Sequence, residues 1–284
     1  MAKYIGTYAS SGDVQTALDN LELSRPFIAY TTDNDKVYYG PAADKAEVGD
    51  IVVYSVSDDL LHYIKQADYN TTSYPSASYV PVGVVAYPQN DDAILGPTGE
   101  ITFMGVNWLS KTSPDSGQPT EQDVEWGYTD FDFPELTNYE TSGTAITDMN
   151  GKANTEVVLN YATAQTDWRT ASAITWTNAA GYYPVFECAW RYHTSGTAQG
   201  DWYVPACGQL EHVRDVESLT KLNAGFTAIG AGLFEFQGKN KVTSTEEYIA
   251  YAWGWDTYNK RWNYSNKSFT YAVRPYSSKL MTRI

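Results

Sequence analysis

Basic residues are scarce in this chain. Lys and Arg together number 19 against 34 Asp and Glu, a formal charge of −15, and no basic stripe is left to meet a phosphate backbone, which excludes nucleic acid as a partner. Cysteine is nearly absent: Cys188 and Cys207 are the only two, too few for a small disulfide-stapled domain, and two buried thiols are the expectation. The three histidines, His62, His193 and His212, form no helical metal pair. No apolar run approaches the ~18 residues of a membrane span. The amino-terminal MAKYIGTYASSGD lacks the basic start and apolar core of a secretory signal, so a soluble chain without an export address or membrane insertion is expected.

Aromatic residues are abundant instead, at 15% of the chain with 24 Tyr. They are densest in residues 245–276, TEEYIAYAWGWDTYNKRWNYSNKSFTYAVRPY, which hold six Tyr, three Trp, one Phe and three Asn. Only Ile249 and Val273 are aliphatics larger than Ala there, whereas a core draws on Leu, Ile and Val. Tyr and Trp supply amphipathic contact area at low rotamer entropy and Asn supplies adaptable hydrogen bonds, which is the composition of a binding surface. Tyr251, Trp253 and Trp255 alternate as on a strand before the polar Asp256-Thr257. The pattern predicts a short strand, a polar loop and a closing strand at 271–274.

Along the chain, residues 1–92 read as a β-rich amino-terminal module with one helix. Ser11-Gly12-Asp13 starts the helix, Val14, Ala17, Leu18 and Leu21 follow at helical spacing, and Pro26 stops it. Strands are expected at 27–30, 36–39, 50–56, 60–65 and 79–87, with turns at Asn34-Asp35 and Ser57-Asp58-Asp59. Residues 88–92, PQNDD, read as a boundary. Residues 112–151 carry nine acidic residues and no Lys or Arg. They read as a solvated acidic insertion pinned by Trp126, Tyr128, Phe131 and Phe133; Asp130, Asp132 and Glu135 lack the ligand ladder of a calcium loop. Helices are expected from Asn154 through Trp168, and from about Ala206, carrying Leu210, Val213, Val216 and Leu219 on its apolar stripe, to the residues before Asn223-Ala224-Gly225.

Between those helices Trp202 and Tyr203 read as a buried strand end, Pro205 as its stop and Gln209-Leu210 as the next helix start. The blocks Asp201-Trp202-Tyr203-Val204-Pro205, Gly208-Gln209-Leu210, Ser244-Thr245-Glu246 and Ala272-Val273-Arg274, with the Asn/Tyr-rich run before the last, resemble C-type-lectin-like domains. The branch they resemble is shared by variable proteins of diversity-generating retroelements and tail proteins of phages infecting gut Bacteroidales. Asn150-Gly151 and Gly181-Tyr182-Tyr183-Pro184 ahead of Trp190-Arg191-Tyr192-His193 are similar to the phage branch. Tyr4-Ile5-Gly6-Thr7, Val48-Gly49-Asp50-Ile51 and residues 79–85, YVPVGVV, resemble the front module of phage structural proteins.

The resemblance implies an α+β fold: a C-type-lectin-like ligand-binding domain of mixed β with two helices at 93–284, preceded by the small module. It implies a virion protein, on the phage tail or surface, that presents a variable surface to a bacterial receptor, protein or glycan, and contacts other virion subunits; a homo-oligomer is compatible with it. Adenine-directed mutagenesis turns Asn codons into Tyr, Asp, Ser, Thr, Ile or His, which makes Tyr248, Ile249, Tyr251, Trp255, Asp256, Tyr258, Asn259, Trp262, Asn263, Tyr264 and Asn266 the candidate ligand-binding residues. Lys241-Val242-Thr243 stands where the family often has Trp before Ser-Thr-Glu, the mark of a fixed relative. Two alternatives stay open: a structural virion protein binding neighbouring subunits, and a bacterial surface adhesin.

Catalysis is not expected. The lectin-like fold also occurs in formylglycine-generating enzymes, but Cys188 and Cys207 lie in the Trp-rich blocks and not where those enzymes place their cysteines. The adjacent Glu246 and Glu247 face opposite ways on a strand and cannot act on one bond. No Glu-Pro-Asn or Gln-Pro-Asp lectin loop is present, so recognition without metal or cofactor is expected.

Overall fold

A strand that must be covered on both faces reads as an unbroken apolar run, because successive side chains point to opposite sides. Such runs occur in β4 (Ile51–Ser55), β6 (Tyr79–Tyr87) and β7 (Ile101–Gly105). The structure is a computed structural model; it describes residues 3–8, 27–31, 36–39, 46–87, 100–165, 174, 176–279 and 281–284. Val52, Val85, Ile101 and Phe103 enter one core, while Ile51, Val53, Val84, Ala86 and Met104 enter another across the sheet.

These strands form the middle of a seven-stranded sheet. With β5 (Leu60–Ile64), β9 (Trp202–Tyr203), β14 (Tyr276–Lys279) and β15 (Thr282–Arg283), its order is β15-β5-β4-β6-β7-β14-β9. All neighbours are antiparallel except β15 and β5. One face is covered by α5 (Val216–Ala228), whose Leu222 and Phe226 enter the core. The helix approaches so closely that a Cβ on Gly225 would lie 2.5 Å from the Gly49 carbonyl oxygen and 2.6 Å from Val84. The other face carries α2 (Gly151–Gln165), α3 (Pro184–Arg191) and the two-stranded pair of β8 (Val124–Glu125) with β13 (Thr270–Tyr271).

Two smaller sheets complete the described residues. β1 (Lys3–Tyr8), β2 (Phe27–Thr31) and β3 (Lys36–Tyr39) pair in that order, β1 parallel to β2. β10 (Lys241–Tyr248), β11 (Tyr251–Asp256) and β12 (Arg261–Asn266) make an antiparallel meander. The whole is α+β.

Several expectations change here. The helix placed at 11–21, the turn at Asn34-Asp35 and the boundary at 88–92 lie outside the described residues. A division at residue 92 does not part the main sheet: β4 to β6 precede it, β7 follows it, and β6 and β7 pair directly. The single helix expected from about 206 to the residues before 223 is two, α4 (Cys207–Glu211) and α5, because Asp215 starts a new helix by accepting the Ser218 N–H at 2.9 Å. Val216, placed on the apolar stripe, is 82% exposed as a result. α3 went unread: it opens on Pro184, which supplies a helix-ready φ and lacks only an N–H that the first turn leaves unpaired. The loop expected after Asp256 holds the strand β12.

The acidic insertion is only partly solvated. Asp115 pairs with Arg191, Glu121 with Lys241, Asp123 with Lys239 and Glu125 with Lys111, and Asp148 is buried. Basic residues outside the segment thus bind it to the body. Asp130 and Glu135 remain exposed.

Candidate ligand-binding surface

The aromatic run folds into the β10–β12 meander, with register Trp253↔Tyr264 and Trp255↔Trp262 between β11 and β12. Alternation places Tyr251, Trp253 and Trp255 of β11 and Trp262 and Tyr264 of β12 on one face. Their rings meet edge to face: Tyr251 with Tyr264 at 5.5 Å, Trp253 with Tyr264 at 5.5 Å and Trp255 with Trp262 at 5.6 Å.

This face divides into anchored and open rings. Trp253 lies over Ala145 of α1 (Ser142–Ala145) and Cys207 of α4, and its indole N–H donates to the Tyr139 carbonyl at 2.6 Å. Trp255 donates to the Phe236 carbonyl at 3.2 Å and receives the Arg214 guanidinium over its ring at 5.2 Å. The half-buried Trp262 donates to Glu211 Oε2 at 2.5 Å. Tyr251 and Tyr264 stand open beyond these anchors, with Tyr248 beside Tyr251 across the β10–β11 turn. Tyr258, 90% exposed, projects from the β11–β12 turn.

Of the candidate residues, then, Tyr248, Tyr251, Tyr258, Asn259 and Tyr264 are exposed, and Ile249, Asp256, Trp262, Asn263 and Asn266 are intermediate. Trp255 is corrected to a core residue, 7% exposed, because β11 is the middle strand and its face at this point is closed by Phe236, Trp262 and Arg214. Asp256 and Asn266 spend their side chains on turns. Asp256 accepts the Tyr258 and Asn259 N–H groups, both at 3.0 Å, and Asn266 Oδ1 accepts the Ser268 N–H at 2.9 Å. Asn263 lies on the face of β12 opposite Trp262 and Tyr264. Phe269, 61% exposed in the turn after β12, is a further exposed ring and was not among the candidates; its place beside the turn formers Asn266-Lys267-Ser268 was the available signal.

Beneath the meander the Ser-Thr-Glu block is scaffold. Thr245 Oγ1 donates to Asp148 Oδ2 at 2.8 Å and accepts the Cys207 N–H at 2.9 Å, while Asp148 also accepts from Asn154 Nδ2 at 2.9 Å, which joins β10, α4 and α2. Glu246 is fully buried and paired with Lys267, whose Nζ also donates to the Ile249 carbonyl at 3.0 Å and lies 4.5 Å above the Trp126 ring. Burial pushes the Glu246 carboxyl up and the Lys267 ammonium down, against the attraction between them. Arg274 is sandwiched by Trp108 at 4.8 Å and Phe226 at 4.1 Å and donates to the Val106 and Gly232 carbonyls. Burial lowers it to about 9, so it stays cationic at neutral pH.

Cys188 and Cys207 are buried and unbridged, and burial raises both thiols, Cys207 to about 12, which removes the thiolate that reactivity requires. Among the described residues no group of three or more His, Cys, Asp and Glu side chains is placed to hold a metal ion. No described helix is long and apolar enough to cross a membrane.

No family model matches the chain, and no curated protein sequence matches it. A solved structure does. A fimbrial protein from Bacteroides ovatus is similar in fold, with a TM-score of 0.50 and 15% identity over 81% of this chain and 48% of that one. The chain spans about half the length of that protein. The likeness is one of fold.

Proposed function

We propose that this protein is a recognition module that binds a bacterial cell surface through the open aromatic side of the β10–β12 meander, on a lectin-like scaffold carried by a phage virion. The observation that carries the reading is the contacting pair of exposed rings Tyr251 and Tyr264, with exposed Tyr248 opposite Tyr251 at the same end of the meander; Tyr258 and Phe269 are further exposed rings on its turns. Exposed rings scattered singly need no explanation; rings grouped on one anchored element form a binding patch. The anchored row beneath them holds the open rings in place, so little entropy remains to be lost on binding. The blocks that resemble lectin-like domains support the scaffold assignment: Trp202, Tyr203 and Thr245 are all core.

A second reading, a bacterial surface adhesin, draws support from the fold shared with the fimbrial protein of Bacteroides ovatus. Antibody labelling separates the two: the virion reading requires label on phage particles, the adhesin reading label on the bacterial envelope.

The test of recognition pairs melting with attachment to Bacteroidales cells. Tyr251→Ala with Tyr264→Ala is expected to lower the melting temperature less than Trp202→Ala, whose ring is fully buried. The pair is nevertheless expected to weaken attachment strongly, since interface aromatic anchors contribute about 2 kcal/mol or more each. Attachment unaltered in the folded double variant would end the proposal.

A further inference from the structure

We infer that the β11–β12 turn is a cationic aromatic element that binds an acidic polysaccharide. The turn is Asp256-Thr257-Tyr258-Asn259-Lys260-Arg261, and it combines four features. First, Lys260 and Arg261 are both exposed and make no salt bridge among the described residues, whereas Arg214, Lys221, Lys239 and Lys241 are each bridged to a carboxylate. On a chain of net charge −15 this is a free positive point. Asp256 lies near enough to feel Arg261, but its oxygens are occupied by the turn's own amides.

Second, Lys260 has φ +53°, the left-handed region that favours glycine or asparagine at this place in a hairpin loop. A lysine there holds strain, and strain kept at an exposed position points to a use for the side chain. Third, the turn is built rather than loose: Thr257 N–H donates to Asn240 Oδ1 at 3.0 Å and its Oγ1 to the Gly238 carbonyl at 2.9 Å, while Asn259 Nδ2 donates to Asp256 Oδ2 at 2.7 Å. Fourth, Tyr258, on the same turn as the two cations, is 90% exposed.

An exposed ring two and three residues from two cations on one short turn fits a sugar bearing a carboxylate: the tyrosine would stack on the sugar's C–H face and the lysine and arginine would pair with the acid. An acidic protein fits less well. A stable protein interface needs about 800 Å² on each side with an apolar centre, and a narrow convex turn with one ring cannot supply it. A repeating glycan engages several copies of a small site and gains by multivalency.

The inference rests on the recognition reading, and the experiment separates the two. The full chain is measured against polygalacturonate, its methyl ester and polyglutamate. Binding is expected to polygalacturonate alone, to weaken at least tenfold between about 0.01 M and about 1 M salt as the screening length falls from ~30 to ~3 Å, and to weaken about tenfold in Tyr258→Ala and in Lys260→Ala with Arg261→Ala. Lys260→Gly, which relieves the backbone, is expected to raise the melting temperature and still lose binding. Absence of binding to polygalacturonate overturns the inference, as does equal binding to polyglutamate that ignores Tyr258→Ala. In cell attachment, turn variants that behave as wild type while Tyr251→Ala with Tyr264→Ala fails defeat this inference and leave the recognition reading standing; wild-type attachment by both sets defeats the recognition reading.

Discussion

Glu187 sits 1% exposed in the first turn of α3, its Oε1 accepting the Tyr183 N–H at 3.0 Å. Burial raises its carboxyl from 4.5 to about 7, with the Tyr183 hydrogen bond and Arg191 opposing. The folded chain therefore holds this proton more tightly than the unfolded chain does. Its contribution to stability is complete below about pH 4.5 and is lost as pH rises through about 7. Glu187→Gln keeps the acceptor and abolishes the titration. Urea unfolding at several pH values is expected to show wild type losing about 2–3 kcal/mol relative to this variant between those limits; parallel profiles would contradict the assignment. Other residues show how environment sets role. Trp202 and Trp255 are both core: Trp202 meets Phe103 at 5.2 Å and Tyr192 at 4.9 Å, and Trp255 meets Phe236 at 5.5 Å. Only the first was expected there, because composition says which residues can make a surface and not which strand lies in the middle of the sheet.

Among the elements, β10 and the turn after β12 are fastened together by Glu246 and Lys267, which also reach the acidic insertion through the Phe131 carbonyl and the rings of Trp126 and Phe133. Removing one partner of a buried pair leaves an uncompensated charge. Lys267→Met is thus expected to cost about 3–5 kcal/mol, while Lys267→Met with Glu246→Leu recovers most of the loss. Unfolding midpoints of the two variants decide it, and a double variant no more stable than the single one would show that the charge imbalance is not the cost. Elements of this kind were unevenly legible in the sequence. The strands at 36–39 and 79–87 fall where apolar and β-branched runs placed them. β12 was hidden because Arg261, Asn263 and Ser265 alternate with only two rings, which reads as polar loop until β11 is known to offer a pairing edge. The break at Asp215 was written locally as Asp-Val-Glu-Ser, an N-cap signature, but the apolar spacing across it suggested continuity. Lys241, expected to matter as a departure from a family pattern, instead closes the Glu121 pair beneath the meander.

At the scale of the molecule, the main sheet decides what can fold by itself. β4 and β6 are central strands, and they bring Ile51, Val52, Val53, Val84 and Val85, all fully buried, to the cores on both faces. Removing residues 1–92 would strip β4, β5 and β6 from the sheet, expose the β7 edge and uncover Leu222 and Phe226 of α5, which pack in the same core as Ile51, Val53 and Val84. An exposed apolar strand edge of this kind pairs with other chains. A unit confined to 93–284 would fold without the front segment, whereas the main sheet pairs β6, before residue 92, with β7, after it. The fragment 93–284 is therefore expected to aggregate or to show no cooperative melting, whereas a chain starting at residue 46 keeps every strand of the main sheet and is expected to melt cooperatively. Calorimetry on both fragments tests the claim, and a sharp transition in 93–284 would mean that β4 to β6 are an addition to a unit that folds from 93–284 and not part of its core.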